Sequence, residues 1–144
     1  RPVPVNPYVL RRRAPSALMW VSLAGPFSNF LLAVVAAIPL RFGLVPYALS
    51  NGGLFPTLFE FLFDFILINL ALMLFNLIPI APLDGEKIAE YFLPPSLNRI
   101  LDTIRPYGPV LLIAIIVLGP MVGFNLFGLI LGPAINALMN LLLA

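Results

Sequence analysis

The sequence predicts an all-α polytopic membrane protein. It has about three transmembrane helices, an unwound stretch near a Leu-Asp-Gly triplet, and a C-terminal half-helix. Three observations carry this reading. Of the 144 residues, 61% are hydrophobic and only 10% charged, against about 25% charged in soluble domains. Mean hydropathy is +1.05, and three windows reach the roughly twenty apolar residues that cross a hydrocarbon core. Sixteen prolines and ten glycines are too many for smooth rods, so broken or re-entrant helices are expected.

The first window runs from about Met19 to Leu40, interrupted by Ser22, Gly25-Pro26, Ser28 and Asn29. The second, about Phe61 to Ile80, carries Asp64, Asn69 and Asn76. The third, about Val110 to Leu131, is broken near Gly119-Pro120. Beyond Gly132-Pro133 the tail from Ala134 to Ala144 is apolar but about half the length needed to cross alone. It is expected along the interface or as half of a re-entrant pair.

The connections set an orientation. Arg1 and Arg11-Arg12-Arg13 precede the first window, and Lys87, Arg99 and Arg105 follow the second, whereas only Arg41 lies between them. By the positive-inside rule the N-terminus and the 81–109 loop are expected to face the cytoplasm. Within that loop, residues from Gly85 to Leu93 read as a short helix stopped by Pro94-Pro95. Ser96 reads as the cap of another, Leu97 to Ile104. Trp20 and Tyr107 read as interface anchors, and Glu60 and Asp64 as snorkelling acids at the outer end of the second span.

Several chemistries are excluded within these residues. The sequence has no cysteine and no histidine, so it holds no disulfide, thiolate ligand or imidazole base. A net charge of +2 gives no reason to expect a nucleic-acid partner. The partner expected from composition is the lipid bilayer. The chain opens on Arg1 within Arg-Pro-Val-Pro-Val-Asn-Pro, with no signal-peptide pattern. It is therefore expected to be a piece of a longer reading frame, with residues 1–144 forming a single membrane domain.

The stretch Asn76-Leu-Ile-Pro79-Ile-Ala-Pro82-Leu-Asp84-Gly85 is the most informative. Pro79 and Pro82 lack an N–H and disfavour helix in the residue before them, so the second span should unwind here. Gly85 permits a turn after the acid, and the Asn76 amide can satisfy freed backbone groups. A carboxylate presented inside a membrane needs a partner, water or a cation. Two readings of Asp84 stand side by side: an N-cap for the helix beginning near Glu86, or a metal ligand, since zinc accepts carboxylate oxygen. Asn29 likewise reads either as an interhelical hydrogen-bonding residue at the Gly-Pro kink or as a group bordering a site.

These residues resemble the site-2 protease family, the intramembrane zinc metalloproteases. Asn76, Pro79 and Leu83-Asp84-Gly85 match that family's third-ligand motif. Ser22-Leu-Ala-Gly25-Pro26-Phe-Ser-Asn29 is similar to its Ala-Gly-Pro stretch. The opening Pro-Val-Pro-Val-Asn-Pro run and Tyr107-Gly108 fit as well. The resemblance implies that Asp84 is the third zinc ligand, that Asn29 borders the active-site cavity, and that Asn76, Pro79 and Gly85 structure the site. It also implies zinc in the complete protein and hydrolysis of peptide bonds in membrane-embedded substrates. One departure is large. The family's His-Glu-x-x-His helix, which carries two zinc-binding histidines and the general base, is absent from these residues. No catalytic residue is therefore assigned in this chain, which alone is expected to be inactive and to hold no zinc tightly. The alternative is a non-catalytic, protease-like scaffold subunit of a larger membrane complex.

Overall fold

The computed structural model describes residues 15–144. The proline-rich opening and Arg11-Arg12-Arg13 lie outside the described residues. Among the described residues there are six α-helices: α1 (Pro15–Arg41), α2 (Leu58–Asn76), α3 (Asp84–Phe92), α4 (Pro95–Ile104), α5 (Gly108–Leu118) and α6 (Gly132–Leu143). Short 3-10 turns occupy Arg105–Tyr107 and Pro120–Val122, and a π turn at Phe127–Leu131 leads into α6. The described residues contain no strand. Among the described residues three helices are long and apolar enough to cross a membrane: Ser16–Arg41, Leu58–Asn76 and Pro95–Leu118. A shorter apolar helix covers Phe127–Leu143.

Two of these differ from expectation. The first helix continues through Gly25-Pro26, because a proline deletes one rung of a ladder that has 27 residues to sustain it. The third apolar stretch begins earlier than Val110 and ends at Leu118. Pro120 cannot continue the backbone ladder, and Gly123 turns the chain at φ 89°. The residues after it, expected to finish the third span, instead begin the C-terminal helix. Ser96 is also not a cap: Pro94 holds that position and Pro95 opens α4, where a missing N–H costs nothing.

The chain forms two compact units. Among the described residues, one comprises residues 15–26 together with Asn76–Phe124; the other comprises Phe27–Phe75 and Asn125–Ala144.

The second unit has a small-residue core. Ala33, Ala36 and Ala37 on α1 recur at helical spacing and pack with Ile66 and Leu70 of α2 and Met139 of α6. Small side chains let helix backbones approach closely. Asn69 is buried there, satisfied by donating from its Nδ2 to the Phe65 carbonyl at 2.8 Å. α2 starts on a reciprocal capping box: the Glu60 N–H donates to Thr57 Oγ1 and the Thr57 N–H to Glu60 Oε2, both at 3.1 Å. The Ser50 N–H adds a bond to Glu60 Oε1 at 2.7 Å. Glu60 thus organises the helix start rather than simply snorkelling. Arg41 donates to the Leu141 carbonyl at 3.1 Å, satisfying an end group of α6 that the helix itself leaves unpaired.

The first unit is built around the break after α2. From Leu77 to Leu83 the backbone makes successive turns, with the Ile80 N–H donating to the Ile78 carbonyl and the Leu83 N–H to the Ile80 carbonyl. Helix α3 follows at once. Its C-terminal end is closed by Asn98 of α4, whose Nδ2 donates to the carbonyls of Glu90 and Leu93.

Candidate metal-ligand site

The unwound stretch expected between Asn76 and Gly85 is present, and the prolines account for it. Helix α2 stops at Asn76, and residues 77–83 are turns and bends rather than helix, as expected where Pro79 and Pro82 disfavour helix in the residues before them. What folds the strip back is Gly85. An added Cβ there would strike the Leu77 carbonyl and stand 2.5 Å from the Ile78 carbonyl oxygen. The strip therefore lies directly on the start of α3, and only a residue without a side chain fits beneath it.

Asp84 is the first residue of α3. The N-cap position belongs to Leu83, in extended conformation and without a side-chain capping bond. The capping role left open by the sequence is thus not the one Asp84 takes. Its half-buried carboxylate has no hydrogen bond or ion pair among the described residues. Asp84 Oδ2 lies instead beside helix α1, 3.1 Å from where a Cβ on Gly25 would stand. Two of the sequence motifs, Ala-Gly-Pro and Leu-Asp-Gly, therefore meet. The missing side chain of Gly25 makes room for a carboxylate. Pro26, next to it, is fully buried and Gly25 exposed, so the space beside Asp84 is not filled by packing.

The remaining predicted site residues divide. Asn76 is the half-buried last residue of α2 and has its own hydrogen-bond partner. Pro79 is exposed within the turn strip. Asn29 lies half-buried on α1 in the other unit.

A charged cluster that the sequence presented only as loop charges lies close to Asp84 in the chain. Glu86 is 4% exposed and accepts from Arg105 Nε at 2.7 Å. The same guanidinium reaches Glu90 Oε2 at 3.2 Å and Asp102 Oδ1 at 2.8 Å. A buried carboxylate demands such a charge-assisted partner. The available signal was the Glu86/Glu90 spacing of four, which places both acids on one helix face. Which of the three basic residues in the loop would answer them was not legible.

Chemically, Asp84 fits one position of a zinc site: an oxygen donor with free lone pairs and adjoining space. It cannot form such a site unaided. Among the described residues no group of three or more His, Cys, Asp or Glu could hold a metal ion, so a site that used Asp84 would need donors from outside them.

Comparison with known proteins bears on that requirement. Over 121 residues, 81% of this chain, the sequence is 33% identical to the Bacillus subtilis (strain 168) protein named "Putative zinc metalloprotease YwhC". The chain is related to a bacterial protein named as a zinc metalloprotease. It spans about half, 53%, of that relative's length. No protein-family model and no solved structure matches the chain. With three helices of spanning length and a bacterial relative, the chain is that of a membrane protein.

Proposed function

We propose that this chain is the C-terminal part of an intramembrane zinc metalloprotease of the site-2 type, in which Asp84 is the third metal ligand. One observation carries the reading. The Asp84 carboxylate is free of other bonds among the described residues and is brought beside Gly25 by an unwound strip that Gly85 alone can fit. The relative's name is consistent with it. The other ligands and the general base would come from a His-Glu-x-x-His helix outside these 144 residues, so the chain by itself is catalytically incomplete.

Bound zinc would supply Lewis-acid polarisation of the scissile carbonyl and activation of water. The residues of this chain have supporting roles. Asp84 holds the metal, Gly25 leaves its approach open, and Pro79 and Gly85 keep the strip unwound and folded back. The protein sits in the bacterial inner membrane with the Ala81–Pro109 loop on the cytoplasmic side, where three of its basic residues lie.

The test is zinc content and affinity of the full-length protein in detergent. One zinc per chain is expected, with Asp84→Ala weakening binding strongly and Asp84→Glu less. Equal zinc affinity in Asp84→Ala overturns the ligand assignment. A scaffold reading has one observation in its favour, the lack of any histidine in these residues. It predicts no His-Glu-x-x-His in the full reading frame and no stoichiometric zinc.

A further inference from the structure

We infer that Arg105 is a positioning residue that sets the direction in which Asp84 points, by locking the rotation of helix α3. The metal-ligand reading enters only in the consequence for zinc. Successive residues on a helix are turned by about 100°, so Asp84 and Glu86 project about 200° apart, on opposite sides of α3. Glu86 and Glu90, four apart, share the side away from Asp84. Arg105 takes hold of that side twice, with Nε on Glu86 Oε1 at 2.7 Å and the Nη2 group on Glu90 Oε2 at 3.2 Å. A planar fork gripping two acids one turn apart fixes rotation as well as distance, as a single point charge would not.

The anchor itself is braced. Arg105 is also paired with Asp102 on α4 at 2.8 Å. It opens the 3-10 turn Arg105–Tyr107, and the next residue, Gly108, is buried so tightly that a Cβ would strike the Ala81 carbonyl. One four-residue stretch therefore touches the chain on both sides of Asp84, at Ala81 before it and at Glu86 and Glu90 after it. With α3 so held, the opposite side presents Asp84 Oδ2 to Gly25. Loss of the fork frees a helix of nine residues to turn, and the carboxylate swings off that line.

The sequence lacks cysteine, which makes a direct test available in the full-length protein. Cysteines are placed at Gly25→Cys and Asp84→Cys, and disulfide formation under copper–phenanthroline is followed with time. Bridging requires Cβ atoms about 3.5–4.5 Å apart and correctly aimed, so the rate reports the direction of position 84 without any metal. The pair should bridge readily with Arg105 present. Arg105→Gln should slow bridging about tenfold or more, Glu86→Gln should act similarly, and Arg105→Lys should recover part of the rate. Arg99→Gln should change nothing. Leu70→Ala, a core truncation in the other unit, should lower stability but leave the rate alone.

An unchanged rate in Arg105→Gln, an equal loss in Leu70→Ala, or no bridging in the parent pair overturns the inference. In parallel, Arg105→Gln on the Asp84 protein should weaken zinc binding about 10–100-fold, the usual cost of losing a group that orients a ligand. If bridging depends on Arg105 while Asp84→Ala leaves zinc affinity unchanged, the positioning role stands and the metal-ligand reading falls.

Discussion

Asp84 Oδ2 lies 3.1 Å from the point at which a Cβ on Gly25 would stand. The two residues are 59 positions apart in the sequence, and their meeting joins the two motifs that the sequence singled out separately. It also gives Gly25 a specific duty. A methyl group at that distance displaces its neighbour slightly, whereas a branched side chain occupies the space the carboxylate now has. In the full-length protein, Gly25→Ala should keep helical content and most zinc affinity. Gly25→Leu should keep helical content by circular dichroism but lower zinc affinity about tenfold or more, as expected of a displaced ligand. Competition titration with a chromophoric chelator measures this.

Gly85 tests the folded-back strip. Replacing a helical glycine by alanine ordinarily stabilises by about 0.5–1 kcal/mol. Here the added Cβ would stand 2.5 Å from the Ile78 carbonyl oxygen and nearer still to that of Leu77. Gly85→Ala should instead destabilise by about 1–3 kcal/mol, the range for forced overpacking. Thermal unfolding in detergent decides the sign; a rise in Tm would mean the strip does not lie on α3.

Glu86 tests the ion-pair cluster. Its side chain is 5% exposed against 27% for Arg105, so truncation removes the most deeply buried partner of a half-buried cation. Breaking a buried pair from one side costs about 3–5 kcal/mol. Because Glu90 and Asp102 remain on Arg105, Glu86→Ala should fall at the lower end, about 3 kcal/mol. Glu90→Ala and Asp102→Ala, which remove more exposed partners, should each cost about 1 kcal/mol or less. Unfolding of the three variants under one detergent condition ranks them.

The start of α2 offers a test remote from Asp84. Thr57 and Glu60 exchange two bonds at 3.1 Å, and loss of an N-cap hydroxyl typically costs about 1 kcal/mol. Thr57→Ala should lower stability by that amount and leave zinc affinity unchanged. A larger loss of zinc would tie this helix end to the metal.

The sequence alone determined what depends on neighbours along the chain. Long apolar runs demand helices, because backbone groups in a bilayer must be satisfied within their own segment. Pro79 and Pro82 demand a break after Asn76, because they lack an N–H and constrain the residue before them. The first two spans and the break are present at the expected place, whereas the third run ends at Leu118. The Gly25-Pro26 pair shows the limit of such rules, since a single missing rung did not end a 27-residue helix.

What only the tertiary structure decided is which distant groups face one another. Asp84 read either as a cap or as a ligand from its neighbours along the chain; the structure gives the cap position to Leu83 and sets the Asp84 carboxylate beside Gly25. Arg105 was one of three basic residues in its loop, and its choice by Glu86 and Glu90 rests on how α4 and the 3-10 turn return to α3. Local rules set conformation residue by residue. The direction of a side chain toward a partner far along the chain is set by how whole segments pack, which no stretch of sequence specifies alone.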